Sequence, residues 1–99
     1  MPKIYKYFGM VFLFYSNDHL PIHIHGRKAG CESKAEIIYD GDTVVSIKIK
    51  NVEDKQPLSN ADKAILRTVA EKKAKDIKTK WIGFYIEGKR YTMEEITHL

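Results

Sequence analysis

The sequence predicts an α+β fold, a mostly antiparallel sheet with one long helix packed on it. Three observations carry this expectation. The first half of the chain is made of short stretches rich in aromatic and β-branched residues, separated by turn residues. Two alternating runs flank Asp40-Gly41, as in a hairpin. From Leu58 to Ile82 apolar residues recur at helical spacing. The 99 residues, 43% hydrophobic and 30% charged, make one domain over residues 1–99. A chain of this length buries roughly two thirds of its unfolded surface around one modest core.

Taken in order, "IYKYF" reads as a strand and Gly9 as a turn or bulge. "MVFLFYS" is apolar at nearly every position, which suits a strand covered on both faces, or a buried piece of helix. "SNDHLP" carries turn signals, because Asn and Asp tolerate turn conformations and Pro21 disfavours helix at Leu20. "IHIHG" alternates and reads as a short strand. In the stretch from Cys31 to Lys50, burial of one face sets the register. A three-residue loop, Tyr39-Asp40-Gly41, would place Ile37 opposite Thr43 and Ala35 opposite Val45, with Gly41 left-handed. Ser59 followed by Asp62 resembles a capping box at the start of the helix. Ile65, Leu66, Val69, Ala70, Ala74, Ile77 and Trp81 form its apolar stripe, and Gly83 is expected to end it. "FYIEGKRYTM" reads as a second hairpin around Glu87-Gly88.

Composition removes several function classes. The longest apolar run, Met10 to Tyr15, is far too short to cross a bilayer. The opening residues lack a signal-peptide core, so a cytoplasmic location is expected. Cys31 is the only cysteine, which leaves no internal disulfide and no cysteine-rich zinc site, and suits a reducing compartment. No phosphate-binding glycine loop is present. The net charge is +4, and Lys72, Lys73, Lys75, Lys78 and Lys80 crowd the helix end. That end admits nucleic acid as a partner, although lysines complement a helix C-terminus in any case. Tyr5, Tyr7, Phe12 and Phe14 lie at strand spacing and read as core before they read as base-stacking platforms.

The chemistry concentrates in "SNDHLPIHIHG", where three of the four histidines fall within seven residues. His23 and His25 are two apart on a strand, so both leave the same face, with Cα atoms about 6.5 Å apart. Asp18 and His19 sit across the Pro21 turn and can fold back toward them. Asp18, His19, His23 and His25 thus form a candidate binding site for Zn²⁺ or another divalent transition metal. The same residues suit acid–base work, because imidazole titrates near neutrality. The structural alternative is the polar face of a half-buried strand, with Asp18 as a turn cap. As a working site the cluster is expected to be concave and partly open to solvent.

The opening "MPKIYKYFGMVFLFYSNDHLPIHIH" resembles the small bacterial family catalogued as domain of unknown function 4160. The resemblance rests on Met1, Pro2, Ile4, Gly9, Asp18, His19, Pro21, His23 and His25. Beyond residue 25 it loosens to a hairpin and a helix ending at a tryptophan, here Trp81. Ile22 stands where the family pattern has a second proline. The resemblance implies a bacterial, compact α+β protein and no particular catalytic activity. By association it implies one component of a two-gene, toxin–antitoxin-type module with a small protein partner.

The expectation is therefore an interaction or regulatory protein. The alternatives are a small histidine-site enzyme (a metal-dependent hydrolase or a ribonuclease) and a metal-binding protein without catalysis. A helix about 10 Å wide covers only part of a sheet whose strands are about 4.8 Å apart. A homodimer or a complex through a sheet edge or the C-terminal hairpin follows as an expectation.

Overall fold

A computed structural model describes residues 2–99; Met1, one of the opening motif residues, lies outside the described residues. The strands are β1 (Lys3–Tyr7), β2 (Met10–Leu13), β3 (His23–Lys28), β4 (Cys31–Asp40), β5 (Thr43–Asn51) and β6 (Glu94–Glu95). Two helices, α1 (Asn60–Lys72) and α2 (Ala74–Tyr85), lie between β5 and β6. The sheet order is β5-β4-β3-β2-β1-β6. Every neighbouring pair is antiparallel except β1 and β6, which run parallel with Tyr5 beside Glu94. The α+β class and the mainly antiparallel sheet agree with the sequence reading.

Ile4, Phe12, Phe14, Ile24, Ala35 and Ile37 join Leu58, Leu66, Val69, Ala70, Ile77 and Trp81 in one core. At Gly26 β3 comes close to α1. A Cβ there would stand 3.1 Å from Leu66 Cδ1 and 3.4 Å from Met10 Sδ, so the missing side chain lets the helix sit down on β3. Ser59 accepts the Asp62 N–H at 3.1 Å, which is the expected N-cap.

Three expectations are corrected. The single long helix is two helices, jointed at Lys73. Backbone bonds still cross the joint, from Lys73 N–H to Val69 and from Ile77 N–H to Lys73, so the axis bends rather than stops. At the joint Tyr39 on β4 donates its hydroxyl to the Ala74 carbonyl at 2.6 Å, a bond made from outside the helix. The apolar stripe continues through the bend, and Leu66, Val69, Ala70, Ala74, Ile77 and Trp81 are all buried.

The β4–β5 loop has two residues, Gly41 and Asp42, with Asp40 opposite Thr43. An unbroken register from there would set Ile37 against Ser46. An irregularity at Val45 shifts it, so that Ile37 meets Ile47 and Ala35 meets Ile49. The shift turns Val44, Ile47 and Ile49 toward the core and sends Val45 outward, 64% exposed. Gly41 has the expected left-handed φ of 64°.

The C-terminal hairpin does not form. α2 runs through Gly83 to Tyr85, and the chain returns to pair β6 with β1. Gly83 is needed for close packing: a Cβ there would lie 1.9 Å from the Tyr91 hydroxyl oxygen. Lysines at the helix end find acids and carbonyls within the chain. Lys73 and Lys80 reach Glu94, Lys80 also reaches Asp76, and Lys78 reaches Asp42 and the Gly41 carbonyl.

Candidate metal centre

The site begins with strand alternation. On β3, Ile24 and Gly26 face the core, so His23, His25 and Arg27 point to the other face. β4 pairs Glu32 with Arg27 across the ladder, placing Glu32 diagonal to His25 on that same face. The segment between β2 and β3 folds over them. Its turn is closed by Asp18, whose Oδ2 accepts the Tyr15 N–H at 3.0 Å. Tyr15 stacks on the His25 ring with centroids 4.0 Å apart, Trp81 lies 5.1 Å from the His23 ring, and the Tyr85 hydroxyl donates to the Tyr15 carbonyl. The histidines are 4% and 3% exposed, so the cluster is a buried one and the expectation of an open concave site is corrected. The β2–β3 segment and the aromatic side chains of α2 supply a cover that strand alternation alone does not reveal.

The hydrogen bonds assign the ring protons. His23 Nδ1 lies 2.8 Å from the Pro21 carbonyl, an acceptor, so the proton sits on Nδ1. His25 Nδ1 lies 3.0 Å from Glu32 Oε2, again an acceptor, with the same result. Each ring then presents a bare lone pair at Nε2. Asp18 Oδ2 stands 3.1 Å from His23 Nε2 and 3.5 Å from His25 Nε2. Despite those short distances neither Nε2 has a hydrogen-bond partner among the described residues, and both are buried. The donor atoms of Asp18, His23 and His25 all lie within 4.8 Å of one another.

Glu32 is the second buried centre of charge. Its carboxylate receives Arg27 Nε–H at 3.1 Å, His25 Nδ1–H and the Tyr15 hydroxyl. Burial pushes the Glu32 pKa up, but the bonds from Tyr15 and Arg27 outweigh it and hold the carboxyl below its usual range. Burial lowers the His25 pKa, against the raising pull of Asp18 and Glu32, so the neutral ring is favoured. Burial raises the hydroxyl pKa values of Tyr15 and Tyr85, which keeps both protonated as donors.

A family model matches residues 9–82, well over half of the chain. The chain belongs to the family described as Domain of unknown function (DUF4160). No curated protein and no solved structure matches it. The part of this DUF4160 chain that matches holds the buried cluster from Tyr15 to Trp81; Tyr85, the Met-Pro-x-Ile opening and β6 fall outside it.

Of the four residues expected at the site, three come together in the DUF4160 fold. Asp18 folds back onto His23 and His25, whereas His19 is exposed and stands outside the group. Glu32, Tyr15, Arg27, Trp81 and Tyr85 were not foreseen. Glu32 had one legible signal, an acid at the start of the strand that pairs with the His-x-His strand.

Proposed function

We propose that this chain binds a single divalent transition-metal ion, Zn²⁺ first among the candidates, through His23 Nε2, His25 Nε2 and the Asp18 carboxylate. One observation carries the reading: two buried imidazole nitrogens, both without a hydrogen-bond partner among the described residues, converge on one carboxylate oxygen. Each unsatisfied buried group costs about 1–3 kcal/mol, and lone pairs aimed at a carboxylate add repulsion. A cation removes both penalties. The two spacings from Asp18 suit it, since donors on a tetrahedral ion with bonds of about 2.0–2.1 Å stand about 3.3 Å apart, while the three donor atoms all lie within 4.8 Å of one another. The Asp18 distances, 3.1 and 3.5 Å, bracket that value. Three protein ligands would leave a fourth position open, and the chemistry that an ion held there would supply is Lewis-acid activation.

Calorimetry with Zn²⁺, Ni²⁺ and Mn²⁺ tests the reading. Binding is expected for the wild type and its loss for His23→Ala with His25→Ala. Absence of both heat and thermal shift with every ion rejects it.

A second reading concerns the role that the ion would serve. We propose a cytoplasmic interaction protein, one component of a two-gene, toxin–antitoxin-type module, with a second small protein as partner. Phe8, Leu20 and Ile86 are 68%, 70% and 77% exposed, and the nine-residue β5 stands at one end of the sheet order. No helix among the described residues is long and apolar enough to cross a membrane. Co-expression with the neighbouring gene is expected to yield a co-purifying complex. A strict monomer by light scattering, with no neighbour bound, counts against this role.

A further inference from the structure

The buried centre contains a carboxylate that would not touch the ion. Glu32 is 1% exposed, and a carboxylate in that position is costly unless its lone pairs are occupied. Three donors occupy them. Arg27 Nε–H takes Oε1, while His25 Nδ1–H and the Tyr15 hydroxyl share Oε2. The carboxylate, carried by β4, is therefore clamped by two residues of β3 and one of the β2–β3 segment. It cannot donate, so the His25 proton has to face it, and the opposite nitrogen has to face Asp18.

We propose that Glu32 is a positioning residue for the metal centre: it locks the His25 ring and its Nδ1–H tautomer, and so sets the metal affinity through Nε2. This rests on the metal reading above. His23 provides an internal control, because its Nδ1–H is held by the Pro21 carbonyl and does not depend on Glu32. Glutamine in place of Glu32 preserves the shape but offers one acceptor oxygen to three donors. Its amide N–H₂ would face one of them, and rotation of the amide toward His25 favours the Nε2–H tautomer, which cannot ligate. Loss of such an outer carboxylate weakens metal binding about 10- to 100-fold.

The experiment combines long-range ¹H–¹⁵N spectra of the histidine rings in metal-free protein above neutral pH with Zn²⁺ calorimetry. In the wild type both His23 and His25 are expected as Nδ1–H. In Glu32→Gln, His23 is expected unchanged, His25 shifts toward Nε2–H, and the Zn²⁺ affinity falls about 10- to 100-fold. Arg27→Gln loosens the clamp from a partly exposed position that endangers the fold less, and is expected to weaken Zn²⁺ several-fold, at the low end of that range. A wild-type His25 found as Nε2–H overturns the proposal without any variant. So does a folded Glu32→Gln that binds Zn²⁺ as tightly as the wild type. A wild type that binds no ion at all overturns the metal reading itself, whatever the ring spectra show, and the two failures are thereby told apart.

Discussion

At Gly83 a single hydrogen in place of a methyl group lets the segment after α2 lie against the helix. The Cβ of an alanine would fall 1.9 Å from the Tyr91 hydroxyl oxygen and 3.1 Å from Tyr91 Cζ. Gly83→Ala is expected to cost about 1–3 kcal/mol in urea unfolding, the usual scale of overpacking. Adding Tyr91→Phe removes the nearer atom and should recover part of the loss. Equal stability of Gly83→Ala and wild type would show that the Tyr91 contact is not made. Read from the sequence, Gly83 is a helix terminator, because a glycine's use for close approach depends on a partner eight residues away. Asp18, His23 and His25 were legible because turn and strand alternation are local properties. Glu32 was legible only as an acid at the start of the paired strand, since its role comes from the cross-strand neighbours Arg27 and His25.

The jointed helix shows the same division at the next level. Its cap and its apolar stripe are written in local spacing, but no Gly or Pro marks the bend at Lys73. The bend coincides with the Tyr39 hydroxyl on the Ala74 carbonyl, a contact 35 residues apart. Burial pushes that hydroxyl's pKa up to about 12, so it stays a donor across the neutral range. Tyr39→Phe is expected to cost about 0.5–1.5 kcal/mol, measured by thermal or urea unfolding. A second tie joins α2 to the sheet, where the buried Tyr5 donates to Asp76. Burial raises the Asp76 pKa, but Tyr5 and Lys80 overcome it and leave the carboxyl below its ordinary 3.8. With the folded value depressed, the unfolded chain binds the proton first. The contribution of Asp76 is therefore present above pH 3.8 and is lost as pH falls through the folded value. Asp76→Asn should flatten this part of the acid-unfolding curve; an unchanged curve would remove the tie from the account.

For the whole molecule, the proposed ion would add a direct link between β3 and the segment that carries Asp18, beside the His23–Pro21 hydrogen bond and the Tyr15–His25 stack. An ion that binds the folded state alone adds about 2.7 kcal/mol at a concentration 100 times its Kd. For a domain of this size each kcal/mol raises Tm by about 4–8 °C. Thermal melts with Zn²⁺ and then with excess chelator should move up and back by that scale. His25→Ala should show no such response; if it shifts as far as the wild type, the ion sits elsewhere.

The parallel pairing of β6 with β1 also bears on the order in which the polypeptide is made. β1 leaves the ribosome well before β6, and its outer edge waits for Glu94–Glu95 and the buried Ile96. Throughout elongation that edge offers unpaired amides and carbonyls, the kind of surface on which nascent chains stick to one another. Ile96 N–H closes it by bonding the Lys6 carbonyl at 2.8 Å. A chain stopped at Met93 would hold the histidine cluster and both helices yet lack this closure. It should aggregate at concentrations where the full sequence stays dispersed.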